Sequence, residues 1–170
     1  FRTDWPEGEC PTGHRHNDLL SLEIWLNGDP ITVDPGTLTY TADFHVRNEL
    51  RSNKSHATVT LNNDEQNLIQ FDSPFELVSK TNSGEVLINN SKDLITVEST
   101  AFWNAIMSHE RSVSYSIKSG ALMIKDTITG ADTACLLYTS DADDDRSSVD
   151  LGGRRIIKKK KLGGGGGGGG

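Results

Sequence analysis

Leu20, Leu22, Ile24 and Leu26 alternate with Ser21, Glu23 and Trp25. A period of two marks a strand that buries one face. The run closes on the turn sequence "NGDP" at 27–30. Short apolar or β-branched runs follow: "ITV" (31–33), "ATVTL" (57–61), "NLIQF" (67–71), "FELVS" (75–79), "EVLIN" (85–89), "LITVES" (94–99), "RSVSYSI" (111–117) and "ALMIKDTI" (121–128). Polar clusters such as "NND", "TNSG", "NNSKD" and "KSG" separate them. Many short strands joined by Asn, Ser and Gly turns predict an all-β fold, an antiparallel β-sandwich, with Leu20 to Leu26 as a core stripe. Tyr40 to Ser55 shows little alternation and reads as a long loop, the kind of segment that carries function on a β scaffold.

Composition changes the picture mainly at the C-terminus. The chain has 170 residues and a formal net charge of −7, enough chain for one ordinary domain. Residues 1–134 hold 10 Lys+Arg against 19 Asp+Glu, whereas 135–170 hold 7 against 5. The body is therefore acidic, which speaks against nucleic acid as a partner, although a local basic cluster can still meet a polyanion. From Cys135 onward the sequence resembles translated sequencing-adapter read-through: "DADDD", then "RSSVDLGGRR", "IIKKKK" and a terminal glycine run. Such low complexity builds no core. Residues 1–134 are thus expected to form the domain and 135–170 a disordered tail outside the functional reading. Cys10 and Cys135 make neither a disulfide framework nor a metal-type spacing. No run is long and apolar enough to span a membrane. The chain opens at Phe1, without a Met and within sequence that reads as folded, and is expected to be a fragment lacking its N-terminal part.

The chemistry concentrates near one end. On a regular strand over 14–26, His14, His16 and Asp18 share the face of the leucine stripe. Two imidazoles at i and i+2 can share a metal or line a polar substrate. They can equally be a solvated strand start with local hydrogen bonds. Zinc takes His nitrogen and Asp oxygen. Asp34 follows a short strand in "VDPG", and His56 precedes another in "RSNKSHATV". Arg47 and Arg51 can grip a carboxylate with two parallel hydrogen bonds, or form surface ion pairs with Asp43 or Glu49.

Taken together, "GHRHNDLLSLEIWLNGDPITVDPGTLTY" and "RNELRSNKSHATV", with the later "HERSVSYSIKSGALMIKDTITG", resemble the heparinase II/III-like family over about residues 13–130. The resemblance implies a polysaccharide lyase that cleaves uronic-acid polymers, heparan-type glycosaminoglycan or alginate, by β-elimination. It implies an N-terminal α/α toroid, absent from this chain, joined to a supersandwich-like C-terminal β-sandwich. It implies a periplasmic or secreted protein, an acidic polysaccharide as substrate, and a zinc ion held in the sandwich by residues matching His16, Asp34 and His56. His14 and, more loosely, Tyr40 would face the cleft as catalytic contacts, with Arg47 and Arg51 as substrate-binding residues. The main acid and base would lie in the toroid, so the fragment alone is expected to be inactive. One departure stands out: the family has Asn after the third-motif histidine, where this chain has Ala57, so an orienting hydrogen bond for His56 is at risk.

Geometry sets a condition on this reading. If Asn27-Gly28 closes a tight hairpin, Asp34 lies opposite Ser21, far along the strand from His16. At ~3.3 Å per residue the gap is about 16 Å. The chain must bend or bulge near Asp18, or the turn must be open; otherwise Asp18 is the fallback ligand. Two other classes compete. A non-catalytic sandwich could bind carbohydrate through Trp5, Trp25 or Trp103, although core or interdomain packing is the commoner use of such rings. A cupin-like metal enzyme also places His-x-His on a β scaffold, but leaves the DPG and Arg…His motifs unexplained.

Overall fold

The computed structural model describes residues 1–2, 14–73 and 75–136. Trp5, Cys10 and the tail beyond Leu136 lie outside the described residues. The described residues form eleven strands and one α-helix in the order β1 (Ile24–Leu26), β2 (Asp29–Thr32), α1 (Phe44–Arg51), β3 (Val59–Leu61), β4 (Leu68–Ile69), β5 (Leu77–Val78), β6 (Asn82–Ser83), β7 (Leu87–Asn90), β8 (Leu94–Phe102), β9 (Ser108–Ser116), β10 (Leu122–Thr129) and β11 (Ala134–Leu136). Every strand pairing is antiparallel. The largest sheet runs β10-β9-β8, with β6 and β7 both pairing along the far edge of β8. Three two-stranded ladders complete the set: β1-β2, β3-β11 and β4-β5. The all-β antiparallel expectation holds. No helix among the described residues is long and apolar enough to cross a membrane.

The core lies between the large sheet and the β3-β11 ladder. Ala101 of β8, Val59 and Leu61 of β3, Leu19, Leu20 and Trp103 are buried together, and Ile128, Ala134 and Leu136 pack against them. β11 thus reaches past residue 134, the expected end of the domain. Trp103 is core, only 4% exposed, whereas Trp25 is 59% exposed on β1. Gly130 turns the chain from β10 towards β11 at φ +69°, and a Cβ there would collide with the Ile106 carbonyl. Gly130→Ala is therefore expected to destabilise by more than ~1 kcal/mol, through backbone strain and clash together. A urea midpoint equal to that of the parent would refute this.

Period two on the large sheet also produces something the leucine pattern does not announce. Arg111 of β9 sits directly opposite Ser99 of β8 and Asp126 of β10, and His109 sits opposite Ala101 and Ile128. This inward face therefore carries a buried ionic cluster beside its apolar residues. Arg111 Nε and Nη2 donate to the two oxygens of Asp126 at 2.6 and 3.2 Å, and His109 Nε2 lies 2.6 Å from the same carboxylate.

Three expectations need correction. The strand foreseen over 14–26 shrinks to Ile24–Leu26. His14, His16 and Asp18 therefore do not share a strand face with the leucines, and Leu26 is 40% exposed. The cause is a turn in which Ser21 N–H donates to Asp18 O at 2.9 Å and Leu20 adopts φ +62°. That conformation costs a non-glycine residue about 1–2 kcal/mol, but Leu20 and Leu19 are both fully buried, and their packing offsets it. Finally, the stretch read as a loop holds α1. Asp43 caps it, its Oδ1 accepting from the His45 and Val46 amides at 2.9 and 3.1 Å.

Candidate metal centre and its surroundings

The hairpin condition is met by bending. Asn27 and Gly28 both take positive φ, as a tight type I′ turn requires. The register then slips between Ile24 and Trp25. Together with the Asp18–Ser21 turn, this bulge swings the start of the segment back across the sheet end. His16 thereby reaches Asp34, with no need for an open turn.

His16, Asp34 and His56 converge, with one potential ligand atom from each lying within 4.8 Å of the others. No fourth His, Cys, Asp or Glu joins them among the described residues. The two imidazoles face each other with centroids 5.2 Å apart. Asp34 Oδ1 accepts the Gly36 amide at 2.7 Å, which leaves Oδ2 directed at His56 Nδ1, 3.2 Å away. That approach is close but misaligned for a hydrogen bond: neither ring nitrogen of His56 has a hydrogen-bond partner, although the residue is 1% exposed. Nε2 is left without a partner and Nδ1 has only the misaligned Asp34 carboxylate; unbonded nitrogens on a buried ring are costly, and a metal ion is the partner that would satisfy such a ring. His16 Nε2 lies 3.1 Å from Thr37 Oγ1. The donor set, two imidazoles and a carboxylate, suits zinc.

Electrostatics favours the ligating protonation states. Burial pushes His16 down to about 4, and the adjacent His56 adds to this. The contact with His56, supported by the Gly36 amide, holds Asp34 at about 2 against the opposing effect of burial. The imidazole of His16 is thus neutral and the carboxylate of Asp34 charged at neutral pH, as metal ligands must be. Asp18, the fallback ligand, stands outside the cluster. It pairs with Arg2 at 3.6 Å, and burial pushes its carboxyl up.

Buried amides lock the segments that carry the ligands. Asn17 bonds the backbone of Asn67 in both directions, and Gln66 does the same to Leu19. The short 3-10 turn Asn53–Ser55 delivers His56, and the Asn53 amide donates to Glu65 Oε2. Sequence reading missed this amide lattice. Its residues look like turn formers, and pairings 47 to 50 residues apart reveal their use.

Tyr40 lies between two other foreseen residues. The exposed His14 meets its ring edge-on at 5.7 Å, and the Arg47 guanidinium stacks over it at 4.7 Å. Tyr40 itself is 44% exposed, whereas Arg47 and Arg51 are fully buried. Neither arginine is the surface ion pair weighed from sequence. Arg51 Nε and Nη2 donate to the carbonyls of Arg15 and Glu76, each at 3.2 Å. Burial and the neighbouring Arg47 lower Arg51 to about 10.

Fold and site together define an antiparallel β domain that carries a candidate His–Asp–His metal centre beside a partly exposed Tyr–His pair. Residues 5–151, most of the chain, match the family model described as Heparinase II/III-like, C-terminal. The chain belongs to that family. Comparisons with curated proteins and with solved structures returned no match.

Proposed function

We propose that this domain is the β-sandwich portion of a polysaccharide lyase acting on uronic-acid-containing polysaccharide, with zinc held by His16, Asp34 and His56. Family membership supports the class. The observation that carries the metal is the convergence of three ligands around a buried, unbonded His56. When bound, the ion supplies a fixed positive charge and a cross-link between three chain segments.

β-Elimination removes the C5 proton of a uronate, breaks the C4–O4 bond to leave a C4–C5 double bond, and protonates the departing oxygen. Tyr and His are suited to such proton transfers. In this domain the exposed pair His14 and Tyr40 is the group that a sugar can reach. Arg47 backs the Tyr40 ring and places positive charge behind it, and Arg51 anchors the segment leading to His16. The principal acid and base belong to a toroid that completes the cleft. The 170-residue chain is accordingly expected to release no unsaturated uronate, read by its absorbance, from alginate or heparan sulfate; sustained turnover would overturn this division of labour.

His14→Ala and Tyr40→Ala are each expected to weaken binding of a uronate oligosaccharide about 2–10-fold, the roughly 0.5–1.5 kcal/mol of one aromatic contact. Calorimetric titration checks this, and unchanged affinity in both variants would move the substrate to another face. A second reading, a non-catalytic carbohydrate-binding module, is favoured by the exposure of Trp25. It predicts instead that Trp25→Ala abolishes binding and that the His14 and Tyr40 variants bind normally.

A further inference from the structure

We propose that Arg111, seated by Asp126, is a positioning residue for the His16–Asp34–His56 centre, an inference that rests on the metal reading above. Arg111 projects from the middle of β9, far in sequence from every ligand. Its Nη1 nevertheless donates to two backbone carbonyls at once, Leu20 O and Ala57 O, both at 2.6 Å. Ala57 is the residue next to His56. Leu20 ends the turn that swings His16 into place. One planar guanidinium thus fixes the spacing of two of the three ligand-bearing segments.

Three features give this bridge its leverage. First, the two carbonyls depend on it. Leu20 sits in a left-handed turn and Ala57 lies just before β3, so neither is within a strand, and both residues are buried where an unpaired carbonyl is costly. Second, the guanidinium cannot pivot. Its other two nitrogens are held by the forked contact with Asp126, and His109 abuts the same carboxylate at 2.6 Å. Third, the His56 ring meets only the misaligned Asp34 carboxylate and the His16 ring, with no aligned hydrogen bond to orient it, and Ala57 cannot provide one. The placement of the ring therefore depends on its backbone, which the adjacent Ala57 carbonyl ties to the large sheet through Arg111.

A bridge that serves only the core would stabilise the fold without affecting the metal, and the test separates the two roles. Zinc affinity and the cobalt(II) visible spectrum are measured on the full chain and on Arg111→Lys, Asp126→Asn and Ile124→Ala. All are kept well below their melting temperatures, with folding verified by circular dichroism. Ile124 is a buried apolar residue of β10 on the same sheet, so its variant is a destabilised control that touches neither carbonyl. Arg111→Lys keeps the charge but loses the fork, and Asp126→Asn loosens the seat. Both are expected to weaken zinc binding about 10–100-fold, the usual cost of removing a group that orients a ligand, and to change the cobalt spectrum. Ile124→Ala should bind like the parent. If Arg111→Lys does not fold, Asp126→Asn decides alone. Parent-like affinity and spectrum in the variants overturn the inference and leave the metal site standing. A parent chain that binds neither zinc nor cobalt overturns the metal site itself, and this inference with it.

Discussion

His56→Ala is expected to abolish stoichiometric zinc uptake, and chelator should then no longer alter the stability of the chain. The parent should behave oppositely. A ligand held at a thousand times its dissociation constant stabilises the folded state by about 4 kcal/mol, so chelation should lower the parent's melting temperature by several degrees. The comparison discriminates because His56 is badly placed for any purely structural role. It is 1% exposed, Nε2 has no partner and Nδ1 meets only the misaligned Asp34 carboxylate, so in metal-free protein its removal relieves a polar burden as well as opening a cavity. The metal-free forms should therefore differ far less than the metal-loaded ones. His16→Ala and Asp34→Ala should also lose zinc, while Asp18→Asn, outside the cluster, should keep it. Zinc content by elemental analysis, with melting curves with and without chelator, reads all of these. Equal zinc in the parent and His56→Ala would remove the assignment.

Asp126→Ala is expected to cost about 3–5 kcal/mol, the range for breaking a buried ion pair from one side. The charge left behind is that of Arg111, 0% exposed, and the buried His109 loses its charged acceptor Asp126. The same cluster sets an acid limit. Burial alone would raise the Asp126 carboxyl, but contacts with His109 and Arg111 more than reverse this and hold it well below the usual carboxylate range. Burial lowers His109 despite its opposing hydrogen bond to Asp126. Facing groups come from β9 (Arg111) and β10 (Asp126), while β8 offers Ala101 opposite His109. Both folded-state values lie below the unfolded ones, so both contributions act in the same direction. Stability should be full above about pH 6.5, begin to fall as unfolded His109 takes up its proton, and fall further below about pH 4 as unfolded carboxylate does. Urea midpoints from pH 7 to pH 3 check this, with the Asp126→Ala profile flatter at the acid end. A profile that rises towards acid would contradict the sign.

Legibility from sequence followed physical scale. The long strands β8, β9 and β10 were visible because alternation over eight or nine residues is a local signal. His16, Asp34 and His56 were singled out because family motifs carry them, not because spacing requires them. The Asp18–Ser21 turn was not readable: Leu20 opens a run that alternates perfectly to Leu26, which masks the adjacent Leu19–Leu20 pair, and it is the burial of both against β3 that accompanies the left-handed Leu20. α1 was missed for a different reason. Its apolar content is slight, and the informative signs were Asp43 as a cap and Arg47 and Arg51 one helical turn apart. Those arginines looked like surface charges, yet both are buried, because backbone carbonyls and aromatic rings can accept a guanidinium as readily as an acid can. The composition break near residue 135 proved coarser than strand pairing, which draws Cys135 and Leu136 into β11.

The bonds from Arg111 to Leu20 and Ala57 span 91 and 54 residues. During synthesis, the candidate ligands His16, Asp34 and His56 all emerge long before the strand that carries Arg111. Closing loops of that length is slow compared with local turn formation. A nascent chain that stops after His56 already holds His16, Asp34 and His56, yet it lacks the strand whose guanidinium bridges Leu20 and Ala57. Under the metal reading proposed above, ion capture would be timed by the arrival of the ninth and tenth strands.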